Sequence, residues 1–206
     1  MADPLILTFA EIEFLLRSQP DATGSAREQL DLGHGDGTDI AAKAGVSSLL
    51  ARGLCTLNGD DVEPSREIVA IVAGLSTPTI RTRALGWIDE RMVVVHLFDG
   101  PSAKLALFPA AYGQFSVQPL DPEKTTADQL IRFIDSCLAS DGESAVLVQF
   151  VRDGEKVSIA VATDEAGVWY VSDSEDSPDR GVPTTRDGAM ARIVELLDSE
   201  RAAGVR

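Results

Sequence analysis

Few side chains in this chain could serve as nucleophiles, general bases or metal ligands. It has two histidines, His34 and His96, and two cysteines, Cys55 and Cys137. His34 lies in Gly33-His34-Gly35-Asp36-Gly37, flanked by Asp31 and Asp39, which has the look of a metal or phosphate loop. A calcium loop, however, needs alternating oxygen ligands and a closing carboxylate. Zinc needs more His or Cys than this segment holds. A phosphate loop passes from a strand into a helix with its lysine in place. None of these conditions is met, so the segment reads as a solvated loop. His96 falls inside an apolar run, on the face shared by Met92, Val94 and Phe98, where a packed or hydrogen-bonded imidazole is expected. No Gly-x-Ser-x-Gly elbow occurs, and no serine or cysteine has a histidine partner in sequence. Asp164-Glu165 and Glu175-Asp176 sit in turn and loop sequence, without the buried, shifted member that two-carboxylate catalysis needs. The expectation is therefore no catalytic residue, no bound cofactor and no metal site. Cys55 and Cys137 are expected as buried, unreactive thiols without a disulfide.

The charge balance narrows the partners. Against 33 Asp and Glu the 206 residues hold 18 Lys and Arg, a net charge of −15. Nucleic-acid binding works through cations that displace counterions from phosphates, and no segment concentrates them. An anionic membrane surface is disfavoured for the same reason, and no apolar run approaches the roughly 20 residues that span a bilayer. Met1-Ala2-Asp3-Pro4 lacks a positive n-region and Leu5-Ile6-Leu7 is short for an h-region, so no signal peptide is expected and the location is expected to be cytoplasmic. With 44% hydrophobic and 25% charged residues, the chain has the material for a sizeable globular core.

The elements follow from periodicity. Thr8-Phe9-Ala10-Glu11 is a capping box opening a helix with Phe9, Ile12, Leu15 and Leu16 at helical spacing, and Pro20 beyond its end. Residues 21 to 37 are polar and glycine-rich and read as a loop. Thr38 or Asp39 caps a second helix with Ile40, Ala44, Leu49 and Leu50 inward, ending at Gly53 with Leu54 folding back. Cys55 to Val62 reads as a tight hairpin around Asn58-Gly59. Pro64 is expected at the first position of a third helix with Ile68, Val69, Val72 and Leu75 inward, closed by Pro78. The period then changes to two. Ile80 to Ile88, Met92 to Phe98, the stretch with Leu105 and Leu107, and Gln114 to Gln118 read as strands of an antiparallel meander, Met92 to Phe98 buried on both faces. A helix from Thr126, with Gln129 closing a second capping box, carries the stripe Leu130, Phe133, Ile134, Cys137, Leu138. Strands Ala145 to Arg152 and Lys156 to Ala162 are joined at Asp153-Gly154. Val168 to Val171 follows a turn at Asp164 to Gly167, and 172 to 183 reads as a surface loop. A last helix buries Met190, Ile193, Val194 and Leu197 and frays from Arg201 to Arg206. This order predicts an α+β fold, one largely antiparallel sheet with helices gathered beside it. We expect a single domain over 1–206, with a helical part at 1–78, the β-meander at 79–120 and a helix-strands-helix part at 121–206.

Four stretches carry a family resemblance. Leu7-Thr8-Phe9-Ala10-Glu11 leading into Phe14-Leu15-Leu16 is one. Leu49-Leu50-Ala51-Arg52-Gly53-Leu54, with Asn58-Gly59-Asp60 and Val62-Glu63-Pro64, continuing through Ile71 to Leu75 and Pro78, is the second. Thr126 to Leu138 is the third, and Thr163-Asp164-Glu165-Ala166-Gly167-Val168-Trp169-Tyr170 is the fourth. In this order they resemble the EspG family, cytosolic chaperones of actinobacterial type VII (ESX) secretion, with Val168 standing where the family pattern has Arg. The resemblance implies a central antiparallel sheet flanked by helical bundles in a quasi-twofold arrangement. It also implies a non-enzymatic role: binding a protein client, a PE–PPE-like helical pair, and keeping it soluble, without nucleic acid and without membrane insertion.

Partner contacts are expected in the strand-rich middle, about 91 to 120, with Phe98, Phe108, Tyr112 and Phe115 as candidates from their placement. Ordinary core packing is the competing role for at least two of them. Two other functional classes remain open from the sequence. A winged-helix-like regulator would use the helix, hairpin and helix of residues 38 to 77, although residues 38 to 53 offer only Lys43 and Arg52 as cations. A small enzyme would need a pocket of convergent polar groups.

Overall fold

The computed structural model describes residues 4–19, 23–32, 37–121, 123–139, 143–152, 155–173 and 181–203. His34, Pro20, the Asp153-Gly154 turn, Glu175-Asp176 and the last three residues lie outside the described residues.

The chain forms two compact units, one of residues 1–79 and 96–121, the other of residues 80–95 and 122–206. The first holds β1 (Leu5–Thr8), α1 (Phe9–Arg17), α2 (Thr23–Gln29), α3 (Gly37–Ala51), β2 (Cys55–Asn58), β3 (Asp61–Pro64), α4 (Arg66–Ser76), the end of β5 (Arg91–Asp99), β6 (Lys104–Ala110) and β7 (Gln114–Pro119). The second holds β4 (Ile80–Ile88), the start of β5, α5 (Thr126–Leu138), β8 (Ser144–Arg152), β9 (Glu155–Thr163), β10 (Trp169–Ser172), β11 (Val182–Thr184) and α6 (Arg186–Ala203). Among the described residues nine strands make an antiparallel sheet ordered β1-β7-β6-β5-β4-β8-β9-β10-β11, and β2 and β3 form a separate hairpin. The fold is α+β, as the sequence of periodicities predicts.

In the first unit the capping box closes as expected. The Glu11 N–H donates to Thr8 Oγ1 (3.2 Å) and the Thr8 N–H to Glu11 Oε2 (2.8 Å). α3 ends as the Gly53 signal requires: Gly53 has φ +69°, its N–H donates to the Leu50 carbonyl (3.0 Å), and the Leu54 N–H donates to the Leu49 carbonyl (2.9 Å). α1 and α3 meet at Gly45, where a Cβ would stand 1.9 Å from the Ala10 carbonyl oxygen. That contact corrects the inward face of α3. Ala42, Gly45 and Leu49 turn in, while Ile40 and Ala44 are exposed, because the face is set by the smallest residue and not by the largest. Pro64 is also corrected: it ends β3, and Ser65 caps α4 by accepting from the Ile68 N–H (3.3 Å). Ile68, Ile71 and Leu75 point inward, whereas Val69 is exposed and Val72 half-buried. Two elements are absent from the sequence reading. β1 is only four residues long, too short to show alternation. α2 forms in the stretch read as a loop. Its anchors, Ala26, Leu30 and Leu32, straddle its end and do not make a helical stripe.

In the second unit a two-residue loop, Asp89-Glu90, joins β4 to β5 with φ of 47° and 62°, the left-handed pair of a tight hairpin. α5 packs on β4 and β8 through the expected stripe. Gly86 permits the approach, since a Cβ there would come within 2.7 Å of Cys137 Sγ. The cap of α5 is one residue earlier than read. Thr125 and Asp128 form the box, and Thr126 is buried instead. β8 and β9 pair along their full length. Asp164 builds the next turn by accepting from the Ala166 and Val168 N–H groups, each at 2.9 Å, and Gly167 supplies φ +76°. Part of the expected surface loop is β11, paired with β10. α6 buries Met190, Ile193 and Leu197, leaves Val194 half-buried, and stays helical through residue 203.

Candidate functional site

The structure separates the four aromatic candidates. Phe98 lies opposite Leu105 and is fully buried, and Phe115, opposite Leu7 and Pro109, is 7% exposed. Both belong to the apolar cluster with Ile12, Leu16 and Leu75, so they take the core-packing role. The reason is strand alternation: Phe98 and Phe115 share the sheet side of the buried Leu105, Leu107 and Val117. Phe108 points to the other side, half-buried, in a row with Ser116 and Ile6. Tyr112 is 99% exposed, held out by a left-handed φ of 60° in a single 3-10 turn (Ala111–Gly113). Nothing in the structure brings these four side chains together.

A more coherent surface lies in the second unit. One side of β4 and β8 carries Gly86, Val146 and Val148 and is closed by α5. The opposite side carries Leu85, Leu147 and Ala160 in one paired row, with Ala145, Ala162 and Tyr170 in the next. Trp87 follows Leu85 by two residues and therefore faces the same way. The two-residue loop sets Met92 opposite Trp87 and Val94 opposite Leu85. Trp87 is 53% and Met92 60% exposed, while Leu85, Val94, Leu147, Ala162 and Tyr170 are half-buried. This is a run of uncharged, mostly apolar side chains across five strands, with Asp89 and Glu90 at its hairpin end. The Tyr170 hydroxyl donates to Asp164 Oδ2 (2.9 Å), so the ring is tethered by the same aspartate that builds the turn. Trp87 escaped the sequence reading because its strand begins with Arg81 and Arg83 on that side. The signal that could have found it is the switch from arginine to Leu85 and Trp87 at alternate positions.

The groups that could do chemistry are otherwise engaged. Glu11 and Glu13 are fully buried in the first unit. Arg52 Nη1 donates to both Glu11 oxygens (2.8 and 2.9 Å), and its Nη2 donates to the Ile6 carbonyl (2.8 Å). The Ser48 hydroxyl donates to Glu11 Oε1 (2.7 Å), and Arg17 and Arg27 pair with Glu13. Burial pushes the Glu11 carboxyl up, but the Thr8 N–H, the Ser48 hydroxyl and Arg52 together hold it below the ordinary glutamate value. This cluster ties α1 to α3 and β1. Both thiols are free and buried. Desolvation raises the Cys137 thiol to about 11, and desolvation with the Glu11 charge raises Cys55, so both stay protonated at neutral pH. His96 is buried in β5, beside Leu107. The helix and hairpin of the winged-helix reading lose Arg52 to Glu11, and the hairpin presents Asp60, Asp61 and Glu63. Among the described residues no three His, Cys, Asp or Glu gather as a metal group, and no helix is long and apolar enough to cross a membrane.

No family model matches the chain, and no curated protein matches it. Among solved structures the chain is similar to one titled for the Mycobacterium tuberculosis type VII secretion system chaperone EspG5 in complex with a PE25–PPE41 dimer. The TM-score is 0.54 at 10% identity, covering 94% of this chain and 95% of that one. The likeness is one of fold, and it extends over nearly the whole of both chains.

Proposed function

We propose that this chain is a non-catalytic, protein-binding chaperone or adaptor. Its second unit receives an apolar helical surface of a client on the sheet side around Trp87 and Met92. The observation that carries this reading is the exposure of those two large apolar side chains, side by side on a strand pair, at the edge of an uncharged row. Monomeric proteins rarely leave such patches uncovered unless they bind something. The Trp indole and the Met thioether suit a partner surface that is apolar and not rigidly specified. The fold likeness and the sequence resemblance favour a PE–PPE-type pair as the client class, kept soluble in the cytosol before type VII secretion. The acidic surface fits that duty, because net charge resists non-specific association while the client is held.

The test is co-purification of the chain with PE–PPE-type pairs from an actinobacterial expression library, for wild type and Trp87→Asp. A stable complex with wild type and none with the variant, at equal thermal stability, is the expected outcome. Equal capture by both would place the binding surface elsewhere.

A further inference from the structure

We infer that Asn58 is a modification site: its side-chain amide is lost to attack by the chain's own backbone, without an enzyme, and Glu63 sets the rate. Asn58 is the only asparagine among the 206 residues, and a glycine follows it. The pair stands at the tip of the β2–β3 hairpin, where Asn58 ends β2 and Gly59-Asp60 form the turn into β3. Gly59 takes φ +64°, as glycine at the first position of a tight hairpin turn does. A Cβ built on it would meet nothing within 4 Å, and Asn58, Gly59 and Asp60 are all exposed, so the turn is open to water.

Asparagine is a thermally labile residue, and the route here is intramolecular. The Gly59 nitrogen closes a five-membered ring on the Asn58 Cγ. The N–Cγ bond forms, the Cγ–Nδ2 bond breaks, and the Gly59 proton leaves with the amide as ammonia. Water then opens the ring, at Cγ to give aspartate or at the main-chain carbonyl to give isoaspartate. The sum is amide plus water to carboxylic acid plus ammonia, and nothing is oxidised or reduced. Gly59 has no side chain to obstruct the ring closure. It also lies outside both strands, so its N–H is not held in the ladder.

Glu63 is placed to restrain this reaction. Asn58 Nδ2 donates to Glu63 Oε1 (2.6 Å). Glu63 stands opposite Thr56, two residues before Asn58, so the bond draws the carboxamide back along the strand and away from Gly59. A hydrogen bond to a carboxylate is stronger than a neutral one, and it must open before the ring can close. Glu63 is thus a positioning residue. Conversion has a structural consequence as well. It adds a carboxylate to a hairpin tip that already carries Asp60, Asp61 and Glu63, and isoaspartate lengthens the main chain by one carbon. Both changes oppose the β2–β3 register. Cys55, paired with Pro64 at the other end of the hairpin and 3% exposed, reports on that register. The inference concerns the first unit and does not rest on the client-binding reading.

The experiment incubates the full chain in mildly alkaline buffer and follows the peptide containing residue 58 by mass spectrometry, with a free peptide of residues 55–64 as the reference. The wild-type chain should convert from amide to acid at residue 58, more slowly than the free peptide. Glu63→Ala, a change at an exposed position that should not unfold the chain, should convert severalfold faster. Glu63→Gln keeps an acceptor oxygen and should stay closer to wild type. No acid form in either wild type or Glu63→Ala, over a period in which the free peptide converts fully, would overturn the site. Equal rates in wild type, Glu63→Ala and Glu63→Gln would overturn the role of Glu63. In the converted protein Cys55 should react faster with a thiol reagent, while Cys137, buried in the other unit, should not. Unchanged Cys55 reactivity would overturn the loss of register.

Discussion

In the first unit Glu11 and Glu13 lie fully buried and paired with Arg17, Arg27 and Arg52, whereas in the second unit Trp87 and Met92 stand more than half exposed on a strand pair. The two units thus differ in what they place against expectation, buried carboxylates in one and a paired Trp and Met on an apolar sheet row in the other. One brings charge inside and pairs it with arginine; the other leaves an apolar row on one sheet side outside. Buried charge that is paired fixes geometry, because each partner must be in place for the rest to be tolerable. Exposed apolar surface fixes nothing within the chain and is most simply understood by what covers it in use. The polar β7 positions of the first unit, Gln114, Ser116 and Gln118, sharpen the contrast, since that unit does not repeat the apolar row. The difference teaches that buried arginine–carboxylate pairs tie the helices of the first unit together, whereas among the described residues no such tie holds the apolar row of the second.

The largest effect should come from charging the interior of the first unit. Phe115→Asp puts an unpaired carboxylate among Leu7, Leu107 and Val117 and should cost at least ~3 kcal/mol. Tyr112→Asp, three residues earlier, should change unfolding by less than ~0.5 kcal/mol, as is usual for surface sites. Urea melts of the two variants would measure both. Comparable destabilisation by the two would contradict the burial that separates these neighbouring aromatics.

Next is the ion cluster itself. Arg52→Ala strips the Glu11 carboxylate of its charge partner and of the tie to Ile6. We expect ~2 kcal/mol of destabilisation, below the value for a fully buried pair because Arg52 is itself partly exposed. The pH dependence has a definite sign. The folded-state value of Glu11 is depressed, so its contribution is complete above its unfolded value and is lost as pH falls through the lower folded value. Wild type should therefore lose stability progressively below about 4.5, and Glu11→Gln should flatten that slope in denaturation midpoints taken across pH 3 to 6 at roughly unit intervals. An unchanged slope would mean the cluster does not carry the acid sensitivity.

Gly45→Ala tests the other tie between α1 and α3. A methyl group 1.9 Å from the Ala10 carbonyl oxygen cannot be accommodated without moving one helix, and a loss of ~1–3 kcal/mol is expected despite the better helix propensity of alanine. Thermal unfolding would show it, and a stabilised variant would mean the helices sit further apart than described.

Much of this architecture was legible in the sequence for identifiable reasons. Thr8 and Glu11, Gly53 and Leu54, and the five-residue stripe of α5 are local rules that tertiary packing did not override. Asp164, Gly167 and Tyr170, read from the sequence as a turn leading into a strand, share one physical task, a turn stapled by a carboxylate that also holds the ring. What failed was whatever depends on a neighbour. The inward face of α3 is chosen by the contact at Gly45, the cap of α5 by Asp128 reaching Thr125, and β1 and β11 exist because other strands offer them edges. The candidate site was the least legible part. Alternation in the meander shows which aromatics share a side, but which side is buried is set by what packs on it. Two of the four went inside, while Trp87, one strand earlier, came out.

The smallest effect on stability and the largest on function are expected at the same place. Trp87→Asp and Met92→Asp should shift unfolding by less than ~0.5 kcal/mol, because neither side chain is packed into the interior. The most direct measurement of the central claim uses the indole itself. In a Trp169→Phe background Trp87 is the sole tryptophan. Titrating this variant with a PE–PPE-type pair whose tryptophans have been replaced should shift the Trp87 emission to shorter wavelength in proportion to complex formed, as the ring leaves water. Complex formation, followed by size-exclusion chromatography, with no change in Trp87 emission would contradict the account.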